Sequence, residues 1–222
     1  MNIVIANSNP ISQSLFEKLN SEHKTYFITS KKELTIDFLL KVRPDYIFFP
    51  HWSFVIKEEI WKKFRCVVFH MTDLPFGRGG SPLQNLIIGG YEETMISALK
   101  VDEEIDAGDI YLKRGLTLLG SAEEVYLRAG EIVREMIREI IQVQPEPIPQ
   151  IGKVTMFERR RPEQSNLRNV KGVRQMFDHI RMLDAEGYPH AFIENEFFKF
   201  EFTGASLNGE QSVIANVRIS KK

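Results

Sequence analysis

Short apolar runs alternate with amphipathic segments over the first 70 residues of the chain. Continuous apolar strands that alternate with amphipathic helices are typical of a parallel sheet covered on both faces. The pattern therefore predicts a Rossmann-like, doubly wound, mostly parallel α/β domain. The apolar runs are residues 1–6, 25–28, 46–49 and 66–69, and the segments with helical spacing are residues 10–19, 34–42 and 58–63.

The next stretch continues the same alternation. A short helix is predicted behind Pro82, and two apolar runs at residues 94–101 and 110–118 are predicted strands around the polar loop DEEIDAGD. Ser121 and Glu124 have the spacing of a capping box, which marks a helix N-terminus. We expect a long helix from there to about residue 143.

Three prolines at alternate positions, Pro145, Pro147 and Pro149, predict a stiff, extended connector. The chain beyond it has the pattern of a small, β-rich α+β domain, with a turn at Asn208 and Gly209. The sequence therefore predicts a main domain over residues 1–144, a Pro-rich linker over 145–152 and a C-terminal domain over 153–222. In that last domain we expect a helix over 170–183 and strands over 190–194, 197–203 and 213–219.

Composition narrows the class of partner. The 29 basic and 30 acidic residues give a formal net charge of −1, so no overall field attracts nucleic acid or an anionic membrane. Cys66 is the only cysteine, which excludes an intrachain disulfide and fits a reducing compartment. The N-terminus has no signal-peptide pattern, and no apolar run approaches the roughly 20 residues of a membrane span. We expect a cytoplasmic protein without nucleic-acid or membrane partners.

Several common catalytic motifs are absent, including the dinucleotide-binding, P-loop and serine-hydrolase patterns. His51 and His70 each follow a predicted strand, but neither lies in a spacing typical of a zinc site, and no metal is predicted. His70 and Asp106 make a better pair, because a carboxylate beside an imidazole orients the ring for proton transfer. The residues alone indicate an α/β protein with a His/Asp site.

The segment HMTDLPFGRGGSPLQ, followed by DEEIDAGDIY, resembles the formyltransferase family, which includes methionyl-tRNA, glycinamide ribonucleotide and sugar-nucleotide formyltransferases. The family pattern is Asn-x-His, Leu-Pro, an Arg-Gly turn with proline, and an Asp-x-Gly loop. By this resemblance His70 is the family histidine and Asp106 the catalytic aspartate. The resemblance covers residues 1–145 by motif and the remainder in outline.

One position departs from the family pattern. Val68 stands where the family has an asparagine that helps to stabilise the oxyanion of the tetrahedral intermediate. Loss of one oxyanion donor typically costs about 2.7–4 kcal/mol. We expect a substitute donor, with His51 as the first candidate and Thr72 as the second.

The resemblance implies 10-formyltetrahydrofolate as the formyl donor. Family members hold the pterin after the strand that matches YIFF and in the loop before the aspartate. The residues at these positions, with Gly80 of the glycine turn, are the predicted donor-binding residues: Phe54, Val55, Ile56, Gly80, Asp102, Glu103, Glu104 and Ile105.

The amine acceptor is predicted from the particular residues of this motif. The segment HMTDLPFGRGGSPLQNL is most similar to the formyltransferase of the pseudaminic-acid pathway and to the formylation domain of linear gramicidin synthetase. This likeness implies a nucleotide-linked amino sugar, with the 4-amino group of UDP-4-amino-4,6-dideoxy-N-acetyl-altrosamine as the group that is formylated. The predicted substrate-binding residues are Arg78, Arg159, Arg160 and Thr72, where arginine suits a diphosphate.

Other interpretations stay open at this level. The amine could belong to methionyl-tRNA, a peptide or an amino acid. The chain could also be a non-catalytic folate-binding homologue, as Val68 suggests, or a hydrolase of the same folate. The apolar run FFKFEF at residues 197–202 fits either a β core or a homodimer surface.

Overall fold

The computed structural model describes residues Met1–Lys222. The chain forms two compact units, each assembled from separate segments of sequence. The division of the chain at a Pro-rich linker over residues 145–152, which its sequence predicts, stays a prediction. The larger unit comprises Met1–Gly79, Thr94–Leu116 and Leu127–Met156, and the smaller unit comprises Gly80–Glu93, Thr117–Tyr126 and Phe157–Lys222.

A six-stranded sheet with the order β2-β1-β3-β4-β6-β7 organises the larger unit. Strands β1 to β4 pair in parallel, whereas β6 pairs antiparallel with β4. The mostly parallel, Rossmann-like sheet is therefore confirmed. The strands are β1 (Asn2–Asn7), β2 (Lys24–Ile28), β3 (Tyr46–His51), β4 (Cys66–His70), β6 (Glu93–Lys100) and β7 (Ile110–Thr117), and a two-residue strand β5 (Arg78–Gly79) lies between β4 and β6 in sequence.

Helices of the larger unit follow the predicted amphipathic segments. Thr35 caps one of them, because its hydroxyl accepts a hydrogen bond of 3.3 Å from the amide of Phe38. The buried faces of the helices and strands share a core of large side chains that includes Phe16, Phe48 and Phe49. The helices are α1 (Gln13–Glu17), α2 (Ile36–Val42), α3 (Glu58–Trp61) and the greater part of α5 (Ala122–Val143), with 3₁₀ turns at Pro10–Ser12 and Lys18–Ser21.

The smaller unit contains an antiparallel sheet of three strands in the order β11-β10-β9. Its last two strands form a hairpin whose turn includes Gly209 at a φ of 63°, a conformation that favours glycine. The predicted C-terminal helix and three strands are confirmed. The elements are α4 (Pro82–Ile88), α6 (Val173–Arg181), β9 (Ala191–Glu194), β10 (Phe198–Asn208) and β11 (Ser212–Lys221), with 3₁₀ turns at Pro162–Ser165 and Leu167–Asn169; a two-residue strand β8 (Met156–Phe157) precedes them.

A buried ion pair fixes the end of α6. Arg181 is 3% exposed, and its Nε lies 2.6 Å from Oδ1 of Asp178. The Nη1 of Arg181 donates to the carbonyl oxygens of Leu118 and Gly120 at 2.5 and 3.0 Å. Arg174 lies at the rim, with its Nε 3.1 Å from Oδ2 of Asp178. The helix is thus joined to the segment that precedes α5 through one side chain with charge-assisted hydrogen bonds.

None of the helices is long and apolar enough to pass through a bilayer.

Candidate active site

His70 is the last residue of β4, and its side chain is 8% exposed. Its Nε2 lies 2.8 Å from the carbonyl oxygen of Gly77, and its Nδ1 lies 3.4 Å from Oδ2 of Asp106. The structure therefore brings together the two residues that the sequence pairs. Both side chains are largely buried, since that of Asp106 is 12% exposed.

The Asp106 loop reaches His70 by a route that the sequence did not predict. The prediction placed both residues at one edge of the sheet, which is where strand ends meet when all strands are parallel. Because β6 is antiparallel, its last residue Lys100 pairs with Val67, three residues before His70. The loop after β6 must therefore fold back toward the end of β4 before Asp106 can contact His70.

Two local features hold this loop in its path. Asp106 adopts a φ of 55°, and its Oδ2 accepts a hydrogen bond of 2.9 Å from the amide of Gly79. Gly108 passes so close to β6 that a Cβ atom there would lie 1.8 Å from the carbonyl oxygen of Lys100. Only glycine fits at that approach. The Asp-x-Gly pattern thus has a steric origin as well as a chemical one.

The turn that supplies the Gly77 carbonyl is held from several sides. Thr72 is fully buried, and its hydroxyl donates to the same carbonyl oxygen at 3.4 Å. The amide of Gly77 donates to Oγ1 of Thr155 at 2.7 Å. Ser97 donates from its hydroxyl to the carbonyl of Thr72 at 2.8 Å. Thr72, a predicted substrate-binding residue, lies inside this network.

The surroundings of His70 suit a group that accepts and returns a proton. Both ring nitrogens face oxygen acceptors, the carboxylate of Asp106 and the carbonyl of Gly77. A neutral imidazole has one N–H and can donate to one of them, whereas the protonated ring can donate to both. The fixed carboxylate also orients the ring, as an acid–base site requires.

Val68 lies two residues before His70 in β4, in an apolar environment. It packs against Leu74, Leu99 and Ile110 and pairs with Phe49 of β3 in the sheet register. Neighbours of this kind offer no partner to a polar side chain. Valine therefore fits the packing at this position, and any oxyanion donor comes from another residue.

His51, the predicted substitute donor, ends β3. It lies two residues after Phe49, the last residue of β3 that pairs with β4, and it pairs with Asn7 of β1 beyond a register shift. Burial lowers the pKa of His51 from 6.5 to about 4. Its imidazole is therefore neutral at pH 7, and a neutral imidazole retains one N–H that can donate.

The low pKa of His51 predicts a pH dependence of stability. Unfolded histidine titrates near 6.5, so between pH 6.5 and 4 the unfolded state binds more protons and the free energy of unfolding decreases as the pH falls. We expect the decrease between pH 7 and 4 to be smaller in His51→Gln, by at most about 3 kcal/mol. Urea unfolding at several pH values measures it, with His23→Gln as the control. Parallel pH curves for His51→Gln and the wild type would contradict this assignment.

The predicted donor-binding residues after β3 are largely at the surface. Val55 is 77% exposed and Phe54 is in edge contact with Trp52. The indole Nε1 of Trp52 is buried and has no hydrogen-bond partner. In the loop before Asp106, Ile105 is 66% exposed and the three acidic side chains before it are exposed. Exposed apolar side chains and an unsatisfied donor fit a flat heteroaromatic ligand such as a pterin.

Gly80, Arg159 and Arg160 belong to the smaller unit. A Cβ on Gly80 would lie 2.6 Å from Cβ of Arg159, so this glycine permits a close chain approach. The amide of Arg160 donates to Oγ of Ser81 at 3.1 Å and its Nη2 to the carbonyl of Gln164 at 2.8 Å. Burial lowers the pKa of the Arg160 guanidinium. Each of these residues thus has a role in local packing.

Arg78, the fourth predicted substrate-binding residue, makes its contacts in the larger unit. Its guanidinium donates to Oε1 of Gln150 from Nε at 3.2 Å and from Nη2 at 2.8 Å. Sequence reasoning missed Gln150, because the alternating prolines around it indicated only a connector. Its position two residues after Ile148, in a segment that bonds to β7, could be found only from the structure.

Two further observations concern other chemistry. Burial raises the pKa of the Cys66 thiol to about 12, which opposes use of this thiol as a nucleophile. No group of three or more His, Cys, Asp or Glu side chains is arranged to hold a metal ion.

The fold and the site together define an α/β protein with a buried contact between His70 and Asp106. The model of the methionyl-tRNA formyltransferase C-terminal domain matches residues 162–220. The solved structure of methionyl-tRNA formyltransferase from Clostridium thermocellum is 48% identical, with complete coverage of both chains and a TM-score of 0.97. The chain therefore belongs to the formyltransferase family.

Curated relatives include methionyl-tRNA formyltransferase from Rickettsia prowazekii, 33% identical over 112 residues. That match covers 50% of this chain and 36% of the relative, so the chain spans about a third of the relative's length. Two more distant solved structures share the fold. These are HypX from Aquifex aeolicus in complex with tetrahydrofolic acid (21% identity, 91% of this chain and 37% of that one, TM-score 0.74) and PseJ from Anoxybacillus kamchatkensis in complex with UDP-4,6-dideoxy-4-formamido-L-AltNAc and tetrahydrofolate (18%, 71% and 85%, 0.57).

Proposed function

We propose that this protein transfers a formyl group from 10-formyltetrahydrofolate to a primary amine, and that the amine is the methionyl amino group of methionyl-tRNA. The observation that carries the proposal is the buried contact of 3.4 Å between His70 Nδ1 and Asp106 Oδ2. The acceptor is supported by the names of the Clostridium thermocellum and Rickettsia prowazekii relatives.

The donor is chosen for its chemistry and for the fit of the residues present. When bound, 10-formyltetrahydrofolate supplies an activated formyl carbon. Phe54, Val55 and Ile105 offer exposed apolar surface for its rings, and the Trp52 Nε1 is a donor in need of an acceptor. Asp102, Glu103 and Glu104 provide carboxylates that can accept hydrogen bonds from a pterin edge.

In this proposal His70 moves the proton. It removes a proton from the attacking amine and delivers it to the nitrogen that leaves, so that one imidazole serves as base and then as acid. Asp106 holds the ring through Nδ1 and stabilises its charged form. The negative charge that develops on the formyl oxygen requires a hydrogen-bond donor, and the neutral imidazole of His51 is our candidate.

A nucleotide-linked amino sugar is the second candidate acceptor, with the 4-amino group of UDP-4-amino-4,6-dideoxy-N-acetyl-altrosamine as its specific form. The observation that favours it is the formal net charge of −1, which provides no general attraction for a polyanionic tRNA. In this version the Arg78 guanidinium binds the diphosphate. A cytoplasmic location fits either acceptor.

One incubation series tests these proposals. The protein is mixed with 10-formyltetrahydrofolate and, separately, with methionyl-tRNA, the UDP-amino sugar, a free amino acid or no amine, and products are identified by mass. Formylmethionyl-tRNA is the expected product. A formamido sugar would transfer the assignment to the second candidate, formate in the absence of amine would indicate a hydrolase, and folate binding without turnover would indicate a non-catalytic homologue.

A further inference from the structure

Gln150 uses the full hydrogen-bonding capacity of its carboxamide within the larger unit. Its Nε2 donates to the carbonyl oxygens of Asp106 and Gly108, both at 2.8 Å. Its Oε1 accepts both bonds from the Arg78 guanidinium described above. Two donors and two acceptor sites are all that a glutamine side chain has. A side chain with all its hydrogen bonds made restrains the groups that it contacts, here two backbone carbonyls and one guanidinium.

We propose that Gln150 is a positioning residue, which holds the Asp106 loop so that the carboxylate meets His70 in the productive geometry. The inference rests on the proposed function, because it assigns Gln150 a role through Asp106. The two carbonyls that Gln150 binds belong to Asp106 itself and to the residue two positions later. One amide nitrogen thus sets the orientation of the peptide units on the carboxyl side of Asp106.

The backbone of the loop requires such support. Asp106 has a φ of 55°, in the left-handed region that favours glycine and that residues with a side chain adopt less readily. A conformation of this kind persists when its surroundings determine it. The hydrogen bonds from Gln150 to the carbonyls on either side of Ala107 provide that determination.

A closed ring of contacts joins Gln150 to the carboxylate from the other side as well. Gln150 holds the side chain of Arg78, and the amide of the next residue, Gly79, donates to Asp106 Oδ2 at 2.9 Å. Gln150 therefore contacts the backbone of Asp106 directly, and it is connected to the Asp106 carboxylate through Arg78 and Gly79. Movement of Gln150 would change the position of Asp106 through both connections.

Gln150 is itself held in place by the chain just before it. Ile148 and Ile110 exchange two backbone hydrogen bonds, of 2.8 and 3.0 Å, in an antiparallel bridge. Pro149 separates this bridge from Gln150 and fixes its own φ near −65°. The segment that the sequence identifies only as a stiff connector thus fixes the position of the Gln150 side chain.

Two substitutions separate the parts of this arrangement. Gln150→Met keeps the length of the side chain and removes every hydrogen bond. Gln150→Glu keeps an acceptor for Arg78 but points an oxygen at the two carbonyls. In both variants we expect kcat to fall about 10- to 100-fold with KM for the folate donor within about threefold, because small displacements of catalytic groups cost factors of this size. Gln142→Met, on the exposed surface of α5, is the matched control.

A second readout does not depend on turnover. The amide of Gly79 reports the carboxylate directly, and we expect its hydrogen exchange to accelerate at least about 10-fold in Gln150→Met and to be unchanged in Gln142→Met. An unchanged Gly79 amide would overturn the proposal whatever the activity. If the wild type transfers no formyl group, the proposed function fails, while the exchange result still decides whether Gln150 positions Asp106.

A double variant distinguishes positioning from a general structural role. In an Asp106→Asn background, Gln150→Met should reduce the residual kcat by less than about threefold, because the group that it positions has already lost its charge. A further loss equal to that seen in the wild-type background would show that Gln150 acts independently of Asp106, and would overturn the proposal.

Discussion

Replacement of His70 by alanine is expected to lower the turnover of formyl transfer by at least about 100-fold, and Asp106→Asn to do the same, in line with typical acid–base contributions. In the proposed mechanism, the first change removes the group that moves the proton. The second keeps the size of the side chain and removes the negative charge that faces Nδ1 at 3.4 Å. Steady-state kinetics with 10-formyltetrahydrofolate and the accepted amine measures both effects.

Matched controls guard this result against loss of folding. Asp109→Asn makes the same change of charge in the same loop, and His23→Ala removes a histidine at the start of β2. Both are expected to retain activity, and circular dichroism should show that all four variants are folded. Activity close to that of the wild type in His70→Ala or Asp106→Asn would refute the assigned roles.

The largest expected loss of stability follows from Asp178→Ala. This change leaves the guanidinium of Arg181, 3% exposed, without its carboxylate partner at 2.6 Å. Removal of one member of a buried ion pair typically lowers the free energy of unfolding by about 3–5 kcal/mol, because the remaining charge is buried and uncompensated. Urea unfolding of the wild type and the variant measures the difference.

Arg174→Ala is the matched control, since Arg174 contacts the same carboxylate at 3.1 Å from an exposed position. Exposed ion pairs contribute about 0–1 kcal/mol, so this variant should remain within about 1 kcal/mol of the wild type. Equal losses in Asp178→Ala and Arg174→Ala would show that burial of Arg181 does not govern the stability of this helix end.

Much of the fold was predictable because it depends on local patterns. Apolar runs such as residues 46–49 indicate buried strands. The direction of β6 was not predictable, since an apolar strand of eight residues has the same pattern whichever way it runs. The return of the Asp106 loop toward His70 follows from that direction and was missed with it.

The candidate site also contains residues that the sequence predicts and one that it does not. His70 and Asp106 were found because neighbouring positions require glycine and so form a recognisable motif: Gly79 has a φ of 103°, and Gly108 lies at a close chain approach. Gln150 was missed because its partners are two backbone carbonyls and one guanidinium, and carbonyls are present at every residue. Which carbonyl a glutamine binds depends on tertiary structure, and no local pattern records it.

The acceptor is the least predictable element. The wording of the loop around Arg78 favoured an amino sugar, whereas the relatives with the higher identity are methionyl-tRNA formyltransferases. A hydroxyl or guanidinium that binds a phosphate looks alike in sequence for both substrates.

The carbonyl oxygen of Gly77 competes with any substrate atom for a hydrogen bond to Nε2 of His70. It occupies the Nε2 of His70 at 2.8 Å, so any substrate atom that is to bond this nitrogen must first replace a group that the chain itself supplies. The observed affinity is then the intrinsic affinity multiplied by the fraction of molecules in which the carbonyl has turned away. Gly77, with a φ of 72°, can make that turn more easily than any residue with a side chain. We therefore expect that a substitution that changes only the turn will change the apparent affinity for a substrate that bonds this nitrogen, even where the substituted residue does not contact the substrate.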